Sequence, residues 1–359
     1  QPEFSQIDIE ASFVEEQDVM NFAEEMISES FQKILNKKLG KLPKLKWHDA
    51  MEKFGCDKPD LRNPLQLVEL SDIFKNEEFK VFSEPANDKN SRIAALIVPE
   101  GEKIGRGQID RYTDFVKEFG AKGLAYIKVD GESIADLSSP ILKYLSEECL
   151  KNILTALKVK KGDLIFFGAG KEKIVNDYMS RLIAKIGMDL NLLKDGFEAC
   201  WITDFPMFEE TSDGSLTSLH HPFTCPVETE LEKLGKLSPL EINSKAYDMV
   251  INGVEIGGGS IRIHKKALQE KVFELLGLSE DEAQKKFGFF LKTLTTGCPP
   301  HGGIAFGLDR LAMLMVGAES IRDVIAFPKT QSALCLLTEA PGSVTDESLD
   351  ELHISRKED

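Results

Sequence analysis

The chain has 359 residues, of which 42% are hydrophobic and 29% charged, a balance typical of a globular protein and not of a disordered one. Its formal net charge of −16 disfavours a general nucleic-acid binder, since acidic surfaces repel phosphate backbones, although a local basic groove is compatible with an acidic whole. No apolar run reaches the ~18 residues of a membrane span and no signal peptide is visible, so we expect a cytoplasmic protein, long enough for two domains.

Six cysteines are scattered along the chain without any C-x-x-C pair. Disulfide frameworks and zinc sites need closer or more regular spacing, so we expect reduced structural thiols. The six are Cys56, Cys149, Cys200, Cys225, Cys298 and Cys335.

The first predicted element is a strand at the beginning of the chain. Polar and apolar residues alternate through QPEFSQIDIEASF, which indicates one polar face and one buried face. The polar positions are Glu3, Gln6, Asp8 and Glu10, and the apolar positions are Phe4, Ile7, Ile9 and Phe13. So many acids and amides on one face are unusual for a strand that only supports a fold.

An amphipathic helix is predicted next, from Glu15 to about Lys38, with Gly40 as its stop. Its expected apolar stripe is Val19, Phe22, Met26 and Ile34. The stretch WHDAMEKFGCDKPDLRNP follows and ends in a polar segment that Pro59 and Pro64 interrupt. We place the first domain boundary here.

Residues 65–193 differ in texture and are predicted to form an inserted α+β domain. Its short apolar strands are SRIAALIVP, GLAYIKV and DLIFFGAG, and its helices include residues 139–157 and 171–187. In the second helix an apolar residue at every fourth position predicts a core stripe, formed by Ile174, Tyr178, Leu182 and Ile186.

Strands return after residue 193, in CWITDFPMF and then in YDMVINGVEIGGGSIRIH. Two helices follow, of which the second begins at Ser279 with Glu282 three residues later, the pattern of a capping box. GGIAFGLDRLAMLM is predicted to run from a strand directly into a helix. The polar, acidic residues 341–359 are expected to fray.

The stretch GIAFGLDRLAML is a candidate anion site. Gly303 and Gly307 flank a buried strand, and Arg310 lies in the first turn of the next helix. The amides and dipole of a helix N-terminus favour an anion, and a guanidinium beside them suits phosphate. The alternative, an arginine capped by Asp309 on an exposed turn, remains open.

The stretch YDMVINGVEIGGGSIRIH is predicted to be a hairpin that turns at Asn-Gly and brings Asp248 and Glu255 to one face. Such carboxylates would repel each other without a cation between them, and oxygen ligands suit nucleotide-bound Mg²⁺. Glycines 257–259 leave room for a flat ligand, and Arg262 is suited to a two-pronged contact with a carboxylate. The alternative is a hairpin with a glycine bulge and solvated acids.

The tandem histidines of LHHPFT invite a metal interpretation, but adjacent residues of an extended chain point in opposite directions. A shared metal would also need ligands that no nearby cluster supplies. We therefore expect His220 or His221 to hydrogen-bond or to close over a substrate. A satisfied structural pair is the other interpretation left open.

In this order the stretches resemble bacterial-type aspartyl-tRNA synthetases, which are class II enzymes. The matching text is FGCDKPDLRNP, GAKGLAYIKV, DFPMFE, HHPFT, AYDMVINGVEIGGGSIRIH, GIAFGLDRLAML and RDVIAFPKT. The resemblance covers nearly the whole chain, and QPEFSQID is similar to the end of the second signature motif of that family.

The resemblance implies an α+β catalytic core, a mostly antiparallel sheet flanked by helices, in two parts at residues 1–64 and 194–340. The insertion at 65–193 is similar to a domain of bacterial tRNA amidotransferases, and residues 341–359 form the tail. The implied reaction activates L-aspartate with ATP and Mg²⁺ and transfers it to tRNA(Asp), with tRNA(Asn) left open. The parent protein would be a homodimer.

The resemblance also implies roles for particular residues. Residues expected to bind ATP are Gln1, Glu255, Gly307, Leu308, Asp309 and Arg310, with Arg310 on the phosphates. Asp248 and Glu255 would hold Mg²⁺. Residues expected at the aspartate are Arg262 on the side-chain carboxylate, His220 closing over it, and Gln6 and Asp8 near the ammonium group.

A family member also carries an anticodon-binding barrel, the first motif, a lid and a second-motif arginine, all upstream of the text found here. We therefore expect an N-terminally truncated chain that is inactive or nearly so alone. Two alternatives stay open. One is a synthetase-like paralogue that passes an acyl-adenylate to another acceptor, and the other is a truncated, non-catalytic regulatory or RNA-binding protein.

Overall fold

A computed structural model describes residues 1–131 and 133–357 of the chain. The fold is mixed α+β, with mostly antiparallel sheets flanked by helices, as the sequence predicts. Two compact units are present, one formed by Gln1–Ile9 with Ile304–Asp359 and the other by Glu10–Gly303. Among the described helices, none combines the length and the apolarity that crossing a membrane requires.

The strands are β1 (Gln6–Ser12), β2 (Lys44–Lys46), β3 (Leu67–Glu69), β4 (Ser91–Val98), β5 (Ala125–Val129), β6 (Leu137–Ser138), β7 (Leu164–Lys171), β8 (Ala199–Thr203), β9 (Phe208–Glu210), β10 (Leu216–Ser218), β11 (Ala246–Ile251), β12 (Val254–Ile261) and β13 (His301–Gly307). The helices are α1 (Glu16–Leu35), α2 (Trp47–Phe54), α3 (Ser71–Phe74), α4 (Lys80–Ala86), α5 (Arg106–Lys117), α6 (Glu147–Leu157), α7 (Glu172–Asp189), α8 (Leu231–Leu234), α9 (Lys266–Leu275), α10 (Glu280–Leu294), α11 (Leu308–Val316) and α12 (Asp346–Glu351).

In the larger unit, β11 is central to the sheet that carries the candidate site. It pairs antiparallel with β12 on one side and β8 on the other, and β2 pairs parallel with β8. Tyr247 is fully buried, stacks edge-on against Trp201, and donates its hydroxyl hydrogen bond to the Gly303 carbonyl at 3.0 Å. The Trp201 indole donates to Glu24 of α1 at 2.7 Å, so this helix packs against the sheet.

A second sheet has the order β3-β4-β7-β5-β6 and is built entirely from strands of the predicted insertion. Both faces are buried. Leu96 and Phe166 lie in the apolar cluster on one side, and Ile93 and Phe167 lie in the cluster on the other. This double burial explains why β4 and β7 read as continuous apolar runs and not as alternating ones. The domain bounds at 64/65 and 193/194 remain predictions.

Arg92 joins this second sheet to α2. Its guanidinium, in a residue only 5% exposed, donates to the carbonyls of Met51 and Glu52 at 3.1 and 3.0 Å. It also donates to Asn176 Oδ1 at 2.6 Å and to Glu69 at 3.0 Å. The Met51 carbonyl also accepts from the Gly55 amide at 3.0 Å, whereas the last carbonyls of a helix otherwise lack partners within it. A cation there also offsets the negative end of the helix dipole. Arg92 therefore fixes the C-terminal end of α2.

Gly55 follows α2 at φ +69°, and a Cβ there would lie 2.6 Å from the Asn176 carbonyl oxygen. Only glycine permits both this backbone conformation and this close approach.

Some helix predictions were wrong. The buried face of α1 is Val19, Met20, Ala23, Ile27 and Phe31, whereas the predicted members Phe22 and Ile34 are exposed. Ala23 is small but fully buried and lies on the face that packs against the core. The prediction followed larger apolar residues, two of which lie on the neighbouring, exposed face. The helix also ends earlier than predicted, because Asn36 adopts the left-handed C-cap conformation.

Other boundaries also differ. β1 begins at Gln6, and Phe4 and Phe13 are exposed, although Ile7 and Ile9 are half-buried as predicted. The predicted helix 139–157 begins only at Glu147, where Ser146 caps it by accepting from the Cys149 amide.

In the predicted core stripe of α7, Tyr178, Leu182 and Ile186 are buried as predicted, whereas Ile174 is exposed. The predicted capping box of α10 is present. The predicted tail includes the short helix α12, and its residues 358–359 lie outside the described residues.

The Arg92→Met variant should lose about 3–5 kcal/mol of unfolding free energy, because buried acceptors lose their cation. Urea unfolding followed by circular dichroism measures this loss. Arg181→Met is the matched control, since Arg181 pairs with Asp177 at 2.8 Å on an exposed helix face and should cost about 0–1 kcal/mol. Equal losses for the two variants would contradict the anchoring role of Arg92.

Candidate active site

The β11–β12 hairpin brings Asp248 and Glu255 together, as predicted. Its turn is Asn252-Gly253, with φ of 51° and 80°, the left-handed pair that the twist of a two-residue hairpin favours. The register shifts by one residue between Met249 and Val250, a bulge on β12.

Asp248 consequently lies opposite Gly258. A Cβ built on Gly258 would lie 2.6 Å from Asp248 Oδ1 and 3.6 Å from Glu255 Oε1. Both carboxylates therefore share the space above Gly258, which no larger residue could occupy.

The environment of Asp248 is strongly acidic. The residue is 6% exposed, and burial raises the pKa of its carboxyl group above the ordinary 3.8, with Glu255 and Asp57 raising it further. His220 opposes this effect, with Nε2 3.8 Å from Oδ1 of Asp248. The site thus holds a carboxylate whose negative charge is costly in the absence of a cation.

Arg262 lies directly after β12, and its guanidinium is held on three sides. Nε and Nη2 donate to the two carboxylate oxygens of Glu10 at 3.2 and 3.1 Å, the two-pronged geometry expected for this residue. Nη1 donates to Ser260 Oγ at 2.6 Å and lies 2.7 Å from Nε2 of His221. The guanidinium plane is fixed by these contacts.

The two histidines contact different partners, as expected for adjacent residues of an extended segment. His220 faces Asp248, whereas His221 faces Arg262. Burial, followed by the charges of Arg262 and His220, lowers the pKa of His221 to about 4, so its ring is neutral at pH 7 and can accept from the arginine. Within the described residues, neither histidine belongs to a group of three or more potential metal ligands.

The other predicted site residues belong to the smaller unit, residues 1–9 and 304–359. Gly307 is the N-cap of α11, and Arg310 in its first turn packs its side chain beside Gly307. Asp309 accepts from the Ser5 amide at 2.9 Å, and the Leu308 amide donates to the Ser5 carbonyl at 2.9 Å.

The beginning of the chain is held in the same unit. Gln1 accepts from the Lys329 amide at 2.8 Å, and Glu3 pairs with the Lys329 side chain at 3.5 Å. Gln6 and Asp8 lie on the exposed face of β1. Their predicted role at an ammonium group remains a prediction.

Sequence reasoning missed two partners. Glu10 is separated from Arg262 by 252 positions, and only the need of a half-buried guanidinium for a carboxylate could have suggested it. Lys58, whose Nζ lies 3.1 Å from Glu255 Oε2, stands in the segment GCDKPD, which carries part of the family resemblance and precedes the predicted domain boundary but was given no role at the site.

The antiparallel hairpin of the larger unit, with its arginine and paired carboxylates, and the glycine-capped helix of the smaller unit each agree with a class II tRNA synthetase. Residues 1–331 match the family model of class II tRNA synthetases (D, K and N), and the chain belongs to that family. The letters denote aspartate, lysine and asparagine.

Two solved structures resemble the chain weakly. The aspartyl tRNA synthetase from Entamoeba histolytica is 24% identical with a TM-score of 0.30, over 43% of this chain and 26% of that one. The asparaginyl-tRNA synthetase of Entamoeba histolytica, in complex with asparaginyl-adenylate, is 14% identical with a TM-score of 0.38, over 90% of this chain and 46% of that one. The chain thus spans less than half the length of either.

Asp248→Asn should raise the unfolding free energy at pH 7 on the order of 1 kcal/mol, because it removes a buried charge. Because the folded-state pKa of Asp248 is raised, its carboxylate destabilises the folded protein at pH values above the ordinary pKa of 3.8. Below that pH the group is protonated in both the folded and the unfolded state, and the destabilisation disappears. Thermal unfolding from pH 3 to 8 measures this. The exposed Asp195→Asn is the control, and a pH-independent difference for Asp248→Asn would contradict the assignment.

Proposed function

We propose that the protein is an aspartate–tRNA ligase, which forms aspartyl-adenylate from L-aspartate and ATP and transfers the aspartyl group to tRNA(Asp). Whether tRNA(Asn) is also an acceptor stays open. The observation that carries the proposal is the fixed guanidinium of Arg262, flanked by neutral His221.

Among the three amino acids of the family, aspartate fits Arg262 best. The contacts of Arg262 with Glu10, Ser260 and His221 use four of the five N–H groups of a guanidinium, which leaves one directed donor on Nη2 within the described residues. A substrate carboxylate would accept from it, and partly exposed Glu10 could yield a second donor. Lysine would place an ammonium group against this cation, and the amide nitrogen of asparagine would oppose a donor.

The carboxylates of Asp248 and Glu255 fit a Mg²⁺ ion carried by ATP. Both offer oxygen atoms above Gly258, where no side chain intervenes, and hard oxygen ligands are those that Mg²⁺ prefers. When bound, the ion would neutralise charge on the ATP phosphates. Glu255 would also contact ATP, with Gln1, Gly307, Leu308 and Asp309, and Arg310 would donate to the phosphates beside the first amides of α11.

The reaction needs positioning more than a protein base. The α-carboxylate of aspartate attacks the α-phosphorus of ATP in line, pyrophosphate leaves, and the 3′-terminal ribose hydroxyl of the tRNA then takes the acyl group. In this proposal Arg262 holds the side-chain carboxylate, Gln6 and Asp8 receive the ammonium group, and His220 closes over the amino acid. Arg310 stabilises charge on the phosphates.

Pyrophosphate exchange into ATP tests the proposal, with aspartate, asparagine and lysine supplied separately. We propose that the protein is a homodimer, and we expect exchange that depends on aspartate and not on asparagine or lysine. Exchange that depends on asparagine or lysine would contradict the assignment. A folded protein without exchange would favour the non-catalytic alternative.

In the active form, Arg262→Leu should lower kcat/KM for aspartate by about 10²–10³-fold, because a substrate carboxylate would lose its charged partner. Steady-state exchange kinetics measure the loss. Arg111→Leu on the exposed face of α5 is the control and should change kcat/KM less than about twofold. A similar loss in both variants would contradict a substrate contact for Arg262.

A further inference from the structure

Lys58 places a positive charge on the carboxylate that the proposed function gives to Mg²⁺. Its Nζ lies 3.1 Å from Glu255 Oε2, and Oε1 of the same carboxylate faces the space above Gly258 that Asp248 also faces. Two carboxylates that converge on one space repel each other. In the cation-free protein Lys58 supplies part of the compensating charge.

The segment that carries Lys58 is fixed at both ends. Upstream, Arg92 holds the last turn of α2, and Gly55 packs against the backbone of Asn176. Downstream, the Arg62 carbonyl accepts from the Lys194 amide at 3.1 Å, and buried Asn63 donates to the Ile183 carbonyl of α7 at 2.9 Å. The position of Lys58 therefore follows from the way the second sheet is joined to α2.

The same segment packs directly on the hairpin turn. A Cβ added to Gly253 would lie 3.3 Å from Asp60 Cβ and 3.7 Å from the Lys58 carbonyl oxygen. The backbone of Lys58 is thus held beside the hairpin whose strand β12 carries Glu255.

We infer that Lys58 is a positioning residue, which holds the Glu255 carboxylate in the cation-free site and is displaced from it when a divalent cation binds. This inference rests on the proposed metal role of Asp248 and Glu255. Lys58 contacts neither aspartate nor ATP in the proposed function. Its role is to position the Glu255 carboxylate before the cation binds.

Displacement of Lys58 costs little. Its side chain is 45% exposed and that of Glu255 is 26% exposed, and ion pairs at such exposure are weak and screened by salt. A divalent cation that reaches both carboxylates carries twice the charge of the lysine and binds oxygen atoms of two residues.

Binding of Mn²⁺ alone to the full chain, followed by electron paramagnetic resonance, tests the displacement. Lys58→Met should bind Mn²⁺ about three- to tenfold tighter than the unchanged chain, because the competing cation is gone. Lys58→Arg, which keeps the charge, should stay within about twofold of the unchanged chain. The matched control is Lys53→Met, an exposed lysine in the last turn of α2, which should also stay within about twofold.

A second measurement tests the pair without any metal. Thermal unfolding is compared for Lys58→Met, Glu255→Gln and the double variant. The double variant should lose less stability than the sum of the single variants, since either single change already breaks the contact. Additive losses would overturn the positioning role, whatever the protein catalyses.

The two measurements separate the inference from the proposed function. Unchanged Mn²⁺ affinity in Lys58→Met, with binding lost in Glu255→Gln, would overturn displacement and leave the metal site standing. No Mn²⁺ binding by either the unchanged chain or Lys58→Met would overturn the displacement, because no cation would then compete with Lys58, and the exchange assay would decide the proposed function separately. The unfolding measurement would still decide whether Lys58 positions Glu255.

Discussion

The convergence of two carboxylates above a single glycine is the constraint on which the candidate site depends. A Cβ on Gly258 would collide with the Asp248 carboxylate at 2.6 Å, so β12 must carry glycine opposite this residue. The bulge on β12 and the Asn252-Gly253 turn set that register. Burial then makes the negative charge of Asp248 unfavourable, and the neighbouring His220 partly offsets this cost.

Arg262 illustrates the complementary arrangement, a cation surrounded by acceptors. Glu10 accepts from two of its N–H groups, and Ser260 and His221 accept from two more. A neutral imidazole is required here, because a protonated ring would place a second positive charge 2.7 Å from the guanidinium. The lowered pKa of His221 is therefore part of how the arginine is held and not an independent feature.

Local patterns in the sequence predict the hairpin, the strand-to-helix passage into α11 and the apolar strands β4 and β7, because turn chemistry and continuous apolar runs act over a few residues. Partners distant in sequence are not predicted in this way. Glu10 and Lys58 acquire their roles only when the chain brings them to Arg262 and Glu255. The buried face of α1 was misassigned because its stripe passes through Ala23, a residue whose small size conceals its position at the core.

The contacts of Arg92 bear on whether the second sheet could be removed as a module. Domain insertions are often regarded as detachable, since their ends lie close together and the host can close over the gap. Here the guanidinium that donates to the carbonyls of Met51 and Glu52 is supplied by β4 of the second sheet. An excised chain would leave those acceptors, and the glycine that packs against Asn176, facing solvent. Removal of the second sheet would therefore also deprive α2 of the partners of its C-terminal end.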